Sequence, residues 1–152
     1  MQHARWAALD PVLAYRLLAL RSAVFVVEQD CVYADPDGRD LEPDAEHWWI
    51  AEGDRVLACL RVLVEPGGAG GGVRRIGRVV TDVAARGQGL AGQLVDAVLA
   101  AHPDEEFILS GQLHLAEWYS GFGFVAEGEP YPEDGIPHVL MRRTPGAGLS
   151  GD

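Results

Sequence analysis

Residues 86–91 combine the residue types that best suit the binding of a diphosphate group. The first amide groups of a helix have no partners within the helix, and the helix dipole favours an anion beside them. Gly87 and Gly89 carry no Cβ, so phosphate oxygens can approach the backbone closely. Arg86 adds a permanent cation with forked donors. The segment therefore predicts an anion-binding turn made of Arg86, Gly87, Gln88, Gly89, Leu90 and Ala91.

Three kinds of anion-binding turn compete for this segment. A P-loop requires a lysine followed by serine or threonine, and the chain contains no lysine. A dinucleotide-binding fold requires a third glycine after its first strand, whereas residues 86–91 hold two glycines and lie in the middle of the chain. What remains is the pattern Arg, two residues, Gly, one residue, Ala. By itself this pattern also fits a glycine-rich helix start.

The elements around this segment predict a mixed sheet flanked by helices. Strand 75–81, helix 89–101 and strand 107–110 form a βαβ unit, which requires a parallel pair of strands and a right-handed crossover. Strands 47–51 and 55–64 form an antiparallel hairpin. The predicted fold class is therefore α/β (α+β), with a mixed, strongly twisted sheet. The other predicted elements are helices over 11–27 and 114–120 and strands over 123–126 and 138–143.

Length and composition limit the class of protein. The 152 residues suffice for one domain, expected over residues 1–143 and followed by a loose tail at 144–152. The glycine-rich connection 66–72 is expected to be a tolerated insertion. The chain has no apolar run near the roughly 20 residues of a membrane helix and no signal peptide, so we expect no membrane partner and a cytoplasmic location. Neither cysteine has a second one at metal-ligand spacing, so no metal is expected.

The formal net charge of −11 argues against nucleic acid as a partner. Acidic residues are concentrated in residues 28–54, where Arg39 is the lone base. Asp35, Asp37 and Glu46 have the spacing of calcium ligands in an EF-hand, but Arg39 takes a ligand position and the required glycine is absent. Two interpretations remain open for the acidic loop: a pocket that attracts a cationic amine, and a solvated acidic surface.

Several motifs occur together and in order along the chain. The first is the Arg-x-x-Gly-x-Ala pattern of residues 86–91, and another is segment 116–124, a helix ending in Tyr119 followed by three residues and Gly-Phe. These motifs resemble the signatures of the GNAT superfamily of N-acetyltransferases. The resemblance covers about residues 15–143. Similarity to the ElaA-like branch of that superfamily lies in residues 20–31, 35–40 with His47, and 133–138.

This resemblance implies the GNAT acyl-CoA N-acyltransferase fold, in which two central parallel strands splay apart and acetyl-CoA, as cosubstrate, lies between them. Pantetheine would pair with the backbone at Val79, Val80 and Thr81, and the amide of Val80 would polarise the thioester carbonyl. Residues 86–91 would hold the diphosphate. Tyr119 would be the general acid that protonates the departing thiolate. The implied reaction is direct transfer of an acetyl group to a primary amine of a small molecule or peptide.

The group that accepts a proton from the attacking amine is left open. A water chain ending on one of several side chains is also compatible, and histidine titrates in the convenient range. The identity of the acceptor and the choice between monomer and homodimer are open as well. The alternative function is a catalytically silent module that binds acyl-CoA as a sensor or partner; Tyr119 and the intact turn favour the enzyme. The candidate bases are Glu28, Asp37, His47, His114 and His138.

Overall fold

The computed structural model describes residues 1–67 and 72–146. Its strands are β1 (Gln2–Ala4), β2 (Glu46–Glu52), β3 (Arg55–Pro66), β4 (Gly72–Thr81), β5 (Phe107–Gln112), β6 (Val125–Glu133) and β7 (Ile136–Arg143). Its α-helices are α1 (Pro11–Arg21), α2 (Leu90–Ala101) and α3 (Ala116–Ser120). A π-helical segment covers Ser22–Glu28, and 3₁₀ turns cover Trp6–Ala8, Arg39–Leu41, Val83–Ala85 and Leu113–Leu115.

The strands form a seven-stranded sheet in the order β1-β2-β3-β4-β5-β7-β6. β4 pairs with β5 in parallel, with Arg74 opposite Phe107 and Arg75 opposite Ile108. Both strands continue beyond this register, β4 to Thr81 and β5 to Gln112. The pairs β1·β2, β2·β3, β5·β7 and β6·β7 are antiparallel. The predicted mixed sheet with flanking helices is therefore confirmed.

The chain forms two compact units, Met1–Leu63 with Gly77–Val95, and Val64–Ile76 with Asp96–Asp152. An apolar core of the first unit consists of Leu17, Leu20, Val24, Trp49, Val56, Cys59 and Val80. Buried side chains of the second include Phe107, Leu109, Phe124, Val139 and Met141. The single domain over 1–143 stays a prediction. Residues 68–71 of the glycine-rich connection and 147–152 of the predicted tail lie outside the described residues.

Both cysteines lie in the first unit and are present as thiols. Cys31 is 7% exposed and Cys59 is 3% exposed. Burial raises the pKa of the Cys59 thiol to about 12, because the interior disfavours the charged thiolate.

The first helix follows its predicted start and then changes type. The Asp10 side chain accepts hydrogen bonds from the amides of Val12 and Leu13, at 3.1 and 3.2 Å, which satisfies two unpaired donors of the first turn. After Arg21 the predicted α-helix over 11–27 becomes π-helical, since the amide of Gln29 bonds to a carbonyl five residues earlier.

No helix in the described part of the chain is long and apolar enough to cross a bilayer.

Strand β6 extends well past the predicted strand 123–126. β6 contains Gly128, Pro130 and Pro132, which are residue types uncommon inside strands. The structure places β6 at the end of the strand order, where a proline removes no hydrogen bond that a neighbour needs. The register with β7 shifts between Glu127 and Tyr131, so an irregularity takes up these residues.

Candidate active site

The predicted anion-binding turn lies between β4 and α2. Gly87 and Gly89 have φ values of +82° and +72°, a left-handed conformation that favours glycine. α2 begins at Leu90, one residue after the predicted start at Gly89. The preceding 3₁₀ turn is capped by Asp82, whose side chain accepts a 2.9 Å hydrogen bond from the amide of Ala84. The two glycines therefore turn the chain from the end of β4 into the first turn of α2.

Arg86 forms an ion pair with Glu28, which is one of the candidate bases predicted from the sequence. Its Nη1 and Nη2 atoms donate to the two oxygens of Glu28, each at 2.8 Å. These hydrogen bonds lower the pKa of the Glu28 carboxyl below its usual range. Both side chains are about two-fifths exposed. Glu28 in this arrangement is a weak proton acceptor that competes with any phosphate for the Arg86 guanidinium.

The first unit also contains a partly buried ionic group, which we call the arginine–aspartate cluster: Arg21, Arg61, Arg78, Asp35, Asp37 and Asp40. Arg21 is 2% exposed. Its Nε donates to Asp35 at 2.8 Å and its Nη1 to Asp40 at 2.7 Å. Burial alone would raise the pKa of Asp40, but the hydrogen bonds and charge of Arg21 lower it. These contacts attach the loop that follows the π-helical segment to the end of α1.

The other two arginines attach the same loop to β3 and β4. Arg61, on β3, donates to both oxygens of Asp37 at 2.8 and 2.7 Å. The Nε of Arg78, on β4, lies 2.9 Å from an oxygen of Asp35. Its guanidinium also lies 5.4 Å from the centre of the Tyr33 ring, within cation–π range. Three carboxylates of the acidic loop are thus matched by arginines.

Arg78 immediately precedes the strand residues to which the resemblance assigns pantetheine binding, Val79, Val80 and Thr81. Its φ of +51° lies in the left-handed region, which is unusual for an arginine in a strand. Such a conformation persists where the surroundings over-determine it, and the contacts of Arg78 with Asp35 supply that constraint. Val80 is 4% exposed and belongs to the apolar core of the first unit.

Two further base candidates belong to this cluster or lie against it. The hydrogen bonds from Arg61 hold the pKa of Asp37 far below its usual range. His47 is 3% exposed, and its Nε2 lies 3.1 Å from the carbonyl oxygen of Asp40. Burial lowers the pKa of His47. Both side chains have structural partners, which weakens the case for either as the base.

Tyr119 lies in the second unit, on α3, and is 6% exposed. Its ring makes edge contacts with Trp118 and Phe124, with centroid separations of 4.9 and 6.3 Å. Burial raises the pKa of the Tyr119 hydroxyl to about 12, so the group is protonated at physiological pH. The side chain is therefore a proton or hydrogen-bond donor held in an apolar setting.

The two remaining base candidates also lie in the second unit. His114 is exposed on the 3₁₀ turn that precedes α3. His138 is 8% exposed; its Nδ1 lies 2.6 Å from the carbonyl oxygen of Ile136 and its Nε2 lies 3.3 Å from Glu133. Tyr131 flanks His138 and hydrogen-bonds to Ser110. His138 is thus part of a polar group on β5, β6 and β7.

Sequence reasoning missed the arginines of the arginine–aspartate cluster. A usable signal existed, because an arginine is rarely buried unless it is paired. Arg21 follows Leu17 by one helical turn on the apolar face of α1, and Arg61 follows Cys59 by two residues within the otherwise apolar run 56–64. The acidic loop offers the matching charges.

No group of three or more histidine, cysteine or carboxylate side chains among residues 1–67 and 72–146 is arranged to hold a metal ion. Of the three acids with EF-hand spacing, Asp35 and Asp37 bind arginines and Glu46 accepts a 3.0 Å hydrogen bond from the indole of Trp48.

Comparison with known proteins agrees with this geometry. Residues 25–145 match the family model for the acetyltransferase (GNAT) domain. The structure resembles the crystal structure of an acyl-CoA N-acyltransferase from Pseudomonas aeruginosa, with a TM-score of 0.86, 44% identity and coverage of 94% of this chain and 97% of that one. The fold is therefore that of the acyl-CoA N-acyltransferases, and the chain belongs to the GNAT acetyltransferase family.

Within this family the chain is ElaA-like. It is 43% identical to the protein ElaA of Escherichia coli over 133 residues, which cover 85% of this chain and 86% of ElaA. The crystal structure of E. coli ElaA matches with a TM-score of 0.84 over 93% of this chain and 97% of that one. The UPF0039 protein Rv2851c of Mycobacterium tuberculosis is 44% identical over 94% of this chain and 92% of its own length.

Proposed function

We propose that this protein transfers an acetyl group from acetyl-CoA to a primary amine of a small molecule or peptide. The observation that carries the proposal is the left-handed conformation of Gly87 and Gly89 immediately before α2. This conformation leads the chain into a helix whose first amides have no partners within the helix, the arrangement that binds diphosphates. Family membership and the similarity to an acyl-CoA N-acyltransferase support an acyl-CoA donor.

In the proposed reaction, the neutral nitrogen of the amine attacks the carbonyl carbon of the thioester. The C–N bond forms, the C–S bond breaks, and the sulfur leaves with the electron pair. The backbone amide of Val80 donates a hydrogen bond to the carbonyl oxygen as negative charge develops on it. The amine releases its proton to water or to a base, and the departing sulfur accepts a hydrogen bond from the Tyr119 hydroxyl and takes up its proton from solvent.

The high pKa of Tyr119 limits how it acts. A free thiol has a pKa near 8.5, whereas burial raises that of Tyr119 to about 12. Complete proton transfer to the thiolate is therefore uphill. The hydroxyl acts chiefly as a hydrogen-bond donor that stabilises the sulfur as its charge grows.

The ion pairs seen in the structure reduce the number of candidate bases, and they also weaken the case for a pocket that selects cationic amines. Glu28 and Asp37 are engaged by Arg86 and Arg61, which makes them poor proton acceptors. His47 is buried beside Asp40, so exposed His114 and partly paired His138 remain the better candidates for the base.

The acidic loop gives little support for a cationic acceptor. The carboxylates of Asp35, Asp37 and Asp40 offer little net charge to a cationic amine, because each faces at least one arginine. A cation-selective pocket would need other acids.

The test is acetyl transfer by the wild-type protein and by Tyr119→Phe. With acetyl-CoA and a panel of small amines and peptides, the wild type is expected to form acetylated amine and coenzyme A in equal amounts, measured by mass spectrometry. Tyr119→Phe is expected to lower kcat by about 10²-fold or more, the usual effect of losing a placed acid or donor. The Kd of this variant for acetyl-CoA should change by less than about twofold, because the substitution removes only the hydroxyl and keeps the aromatic ring.

The measurements also separate the enzyme from a silent binding module. Tight binding of acetyl-CoA with no transfer to any amine would favour the module. Absence of binding at millimolar acetyl-CoA would remove the basis of the proposal.

A further inference from the structure

The ring of Tyr119 lies against a position on β5 that has no side chain. A methyl group on the Cα of Gly111 would lie 3.0 Å from Cε2 and 3.1 Å from Cδ2 of Tyr119. It would also lie 3.1 Å from Cδ1 of Leu109. Carbon atoms in optimal contact are about 3.5–4.0 Å apart, so a side chain at this position would require the ring to shift by a few tenths of an ångström.

The other contacts of the ring leave it few directions in which to move. Trp118 makes a T-shaped contact with the ring at an interplanar angle of 71°, and Phe124 makes another at 76°. Tyr119 is almost completely buried, and Phe124 and Leu109 are each 2% exposed. In a close-packed setting, added volume is transmitted to neighbours rather than absorbed.

Backbone geometry does not explain the glycine. Gly111 lies inside β5, opposite Val139 of β7, and its φ is outside the left-handed region. An alanine could therefore adopt the same backbone conformation, and glycine within a strand is otherwise unfavourable because it adds chain entropy and packs no side chain. The close approach of Tyr119 is the feature that requires the missing Cβ.

We infer that Gly111 is a positioning residue for Tyr119, whose ring lies close to β5 because no side chain occupies that position. This inference rests on the proposed role of Tyr119 as donor to the leaving sulfur. In this role, small displacements matter, because donation depends on distance and angle, and a misplacement of about 1 Å can cost about 10²-fold in rate.

The experiment is a double-mutant cycle built from Gly111→Ala and Tyr119→Phe. Gly111→Ala is expected to lower kcat by about tenfold, with KM for acetyl-CoA within about twofold of the wild type. In the Tyr119→Phe background the same change should lower kcat by less than about twofold, because the displaced ring no longer carries a hydroxyl. A merely structural role would lower activity by the same factor in both backgrounds.

Gly77→Ala is the matched control. Gly77 is also a strand glycine outside the left-handed region, and a methyl group there would meet no atom within 4 Å. Its kcat should stay within about twofold of the wild type. Thermal unfolding of each variant checks that the comparison is made on folded protein.

A second variant keeps the test possible if Gly111→Ala folds poorly. Leu109→Val/Gly111→Ala conserves the total side-chain volume, which cores tolerate best, yet keeps the methyl group beside Tyr119. It should show the same loss of kcat and the same dependence on the Tyr119 hydroxyl.

Three results would overturn the inference while leaving the proposed function intact: full activity of Gly111→Ala, equal losses in the two backgrounds, or an unmoved Tyr119 ring in a crystal structure of the variant. Full activity of Tyr119→Phe would overturn the role of Tyr119 and this inference with it, while acetyl transfer itself would stand. No transfer by the wild type would overturn the proposed function.

Discussion

At the scale of single residues, the pairing of Arg86 with Glu28 determines how freely the predicted diphosphate turn can use its cation. The guanidinium faces a carboxylate through two parallel hydrogen bonds of 2.8 Å. A phosphate that approaches Arg86 must replace this carboxylate or share the cation with it. Because the pair is partly exposed, solvent screens it and the competition is modest.

Glu28→Gln is therefore expected to tighten the binding of coenzyme A. The change removes the competing negative charge, and the Kd for coenzyme A is expected to fall by about two- to tenfold, the range for an exposed pair. Isothermal titration calorimetry measures it, with pantetheine, which lacks the diphosphate, as the control ligand that should show no gain. Weaker binding of coenzyme A would mean that Glu28 holds Arg86 in its binding position. A collapse of kcat by more than about 10²-fold would instead identify Glu28 as the base.

The sequence indicates candidate site residues more readily than it indicates their partners. Gly87, Gly89 and Tyr119 carry local chemistry that can be recognised from neighbouring residues. The contact between Arg86 and Glu28 joins segments 58 positions apart, and no local pattern specifies it. The same holds for Gly111, whose role depends on a ring that another element brings against it.

At the scale of elements, the arginine–aspartate cluster connects one loop to α1, β3 and β4. A buried ion pair adds little stability in itself, but loss of one partner leaves an uncompensated charge and typically costs about 3–5 kcal/mol. The pattern of apolar residues predicted the start of α1 and predicted β3 to within two residues, but it placed the end of the α-helix six residues too late, at residue 27. It could not predict that α1 would become π-helical after Arg21, because hydrogen bonds to five residues earlier leave no distinct pattern in the sequence.

The pH dependence of stability is expected to show two stages of loss on acidification. His47 has a lowered pKa in the folded state, so below about pH 6.5 the unfolded chain takes up a proton that the folded chain does not. The free energy of unfolding then falls as the pH falls, by up to about 1.4 kcal/mol per pH unit for one proton. Asp37 and Asp40, whose pKa values are also lowered, add a second loss below about pH 4.

Urea denaturation from pH 8 to pH 3 measures this profile. His47→Gln should flatten the part between about pH 6.5 and 5. A profile of His47→Gln that runs parallel to that of the wild type through this range would show that His47 does not cause the first stage.

At the scale of the whole molecule, net charge opposes the approach of the proposed donor. The chain has a formal net charge of −11, and coenzyme A is a polyanion. Eleven of the twelve arginines are seen within 3.7 Å of a carboxylate oxygen, and Arg143 also has partners, so much of the positive charge is neutralised locally. The long-range field that a ligand meets is therefore negative.

Coenzyme A is expected to associate faster as ionic strength rises from about 10 to 150 mM. Salt shortens the Debye length to about 8 Å at the upper end, which screens the repulsion between the net charges. Stopped-flow measurement of the association rate tests this, and uncharged pantetheine should show no such trend. A rate that falls with added salt would mean that local cations at the turn, rather than net charge, govern the encounter.

The burial of both cysteines has a practical consequence for measuring turnover. Cys31 and Cys59 are 7% and 3% exposed, and reagents that detect sulfhydryl groups react with accessible thiolates. Such a reagent, present throughout the assay, should leave the native enzyme largely unlabelled and report the coenzyme released at each cycle. Any slow rise in colour without acetyl-CoA would then register opening of the protein interior, so the same reagent could follow both catalysis and unfolding.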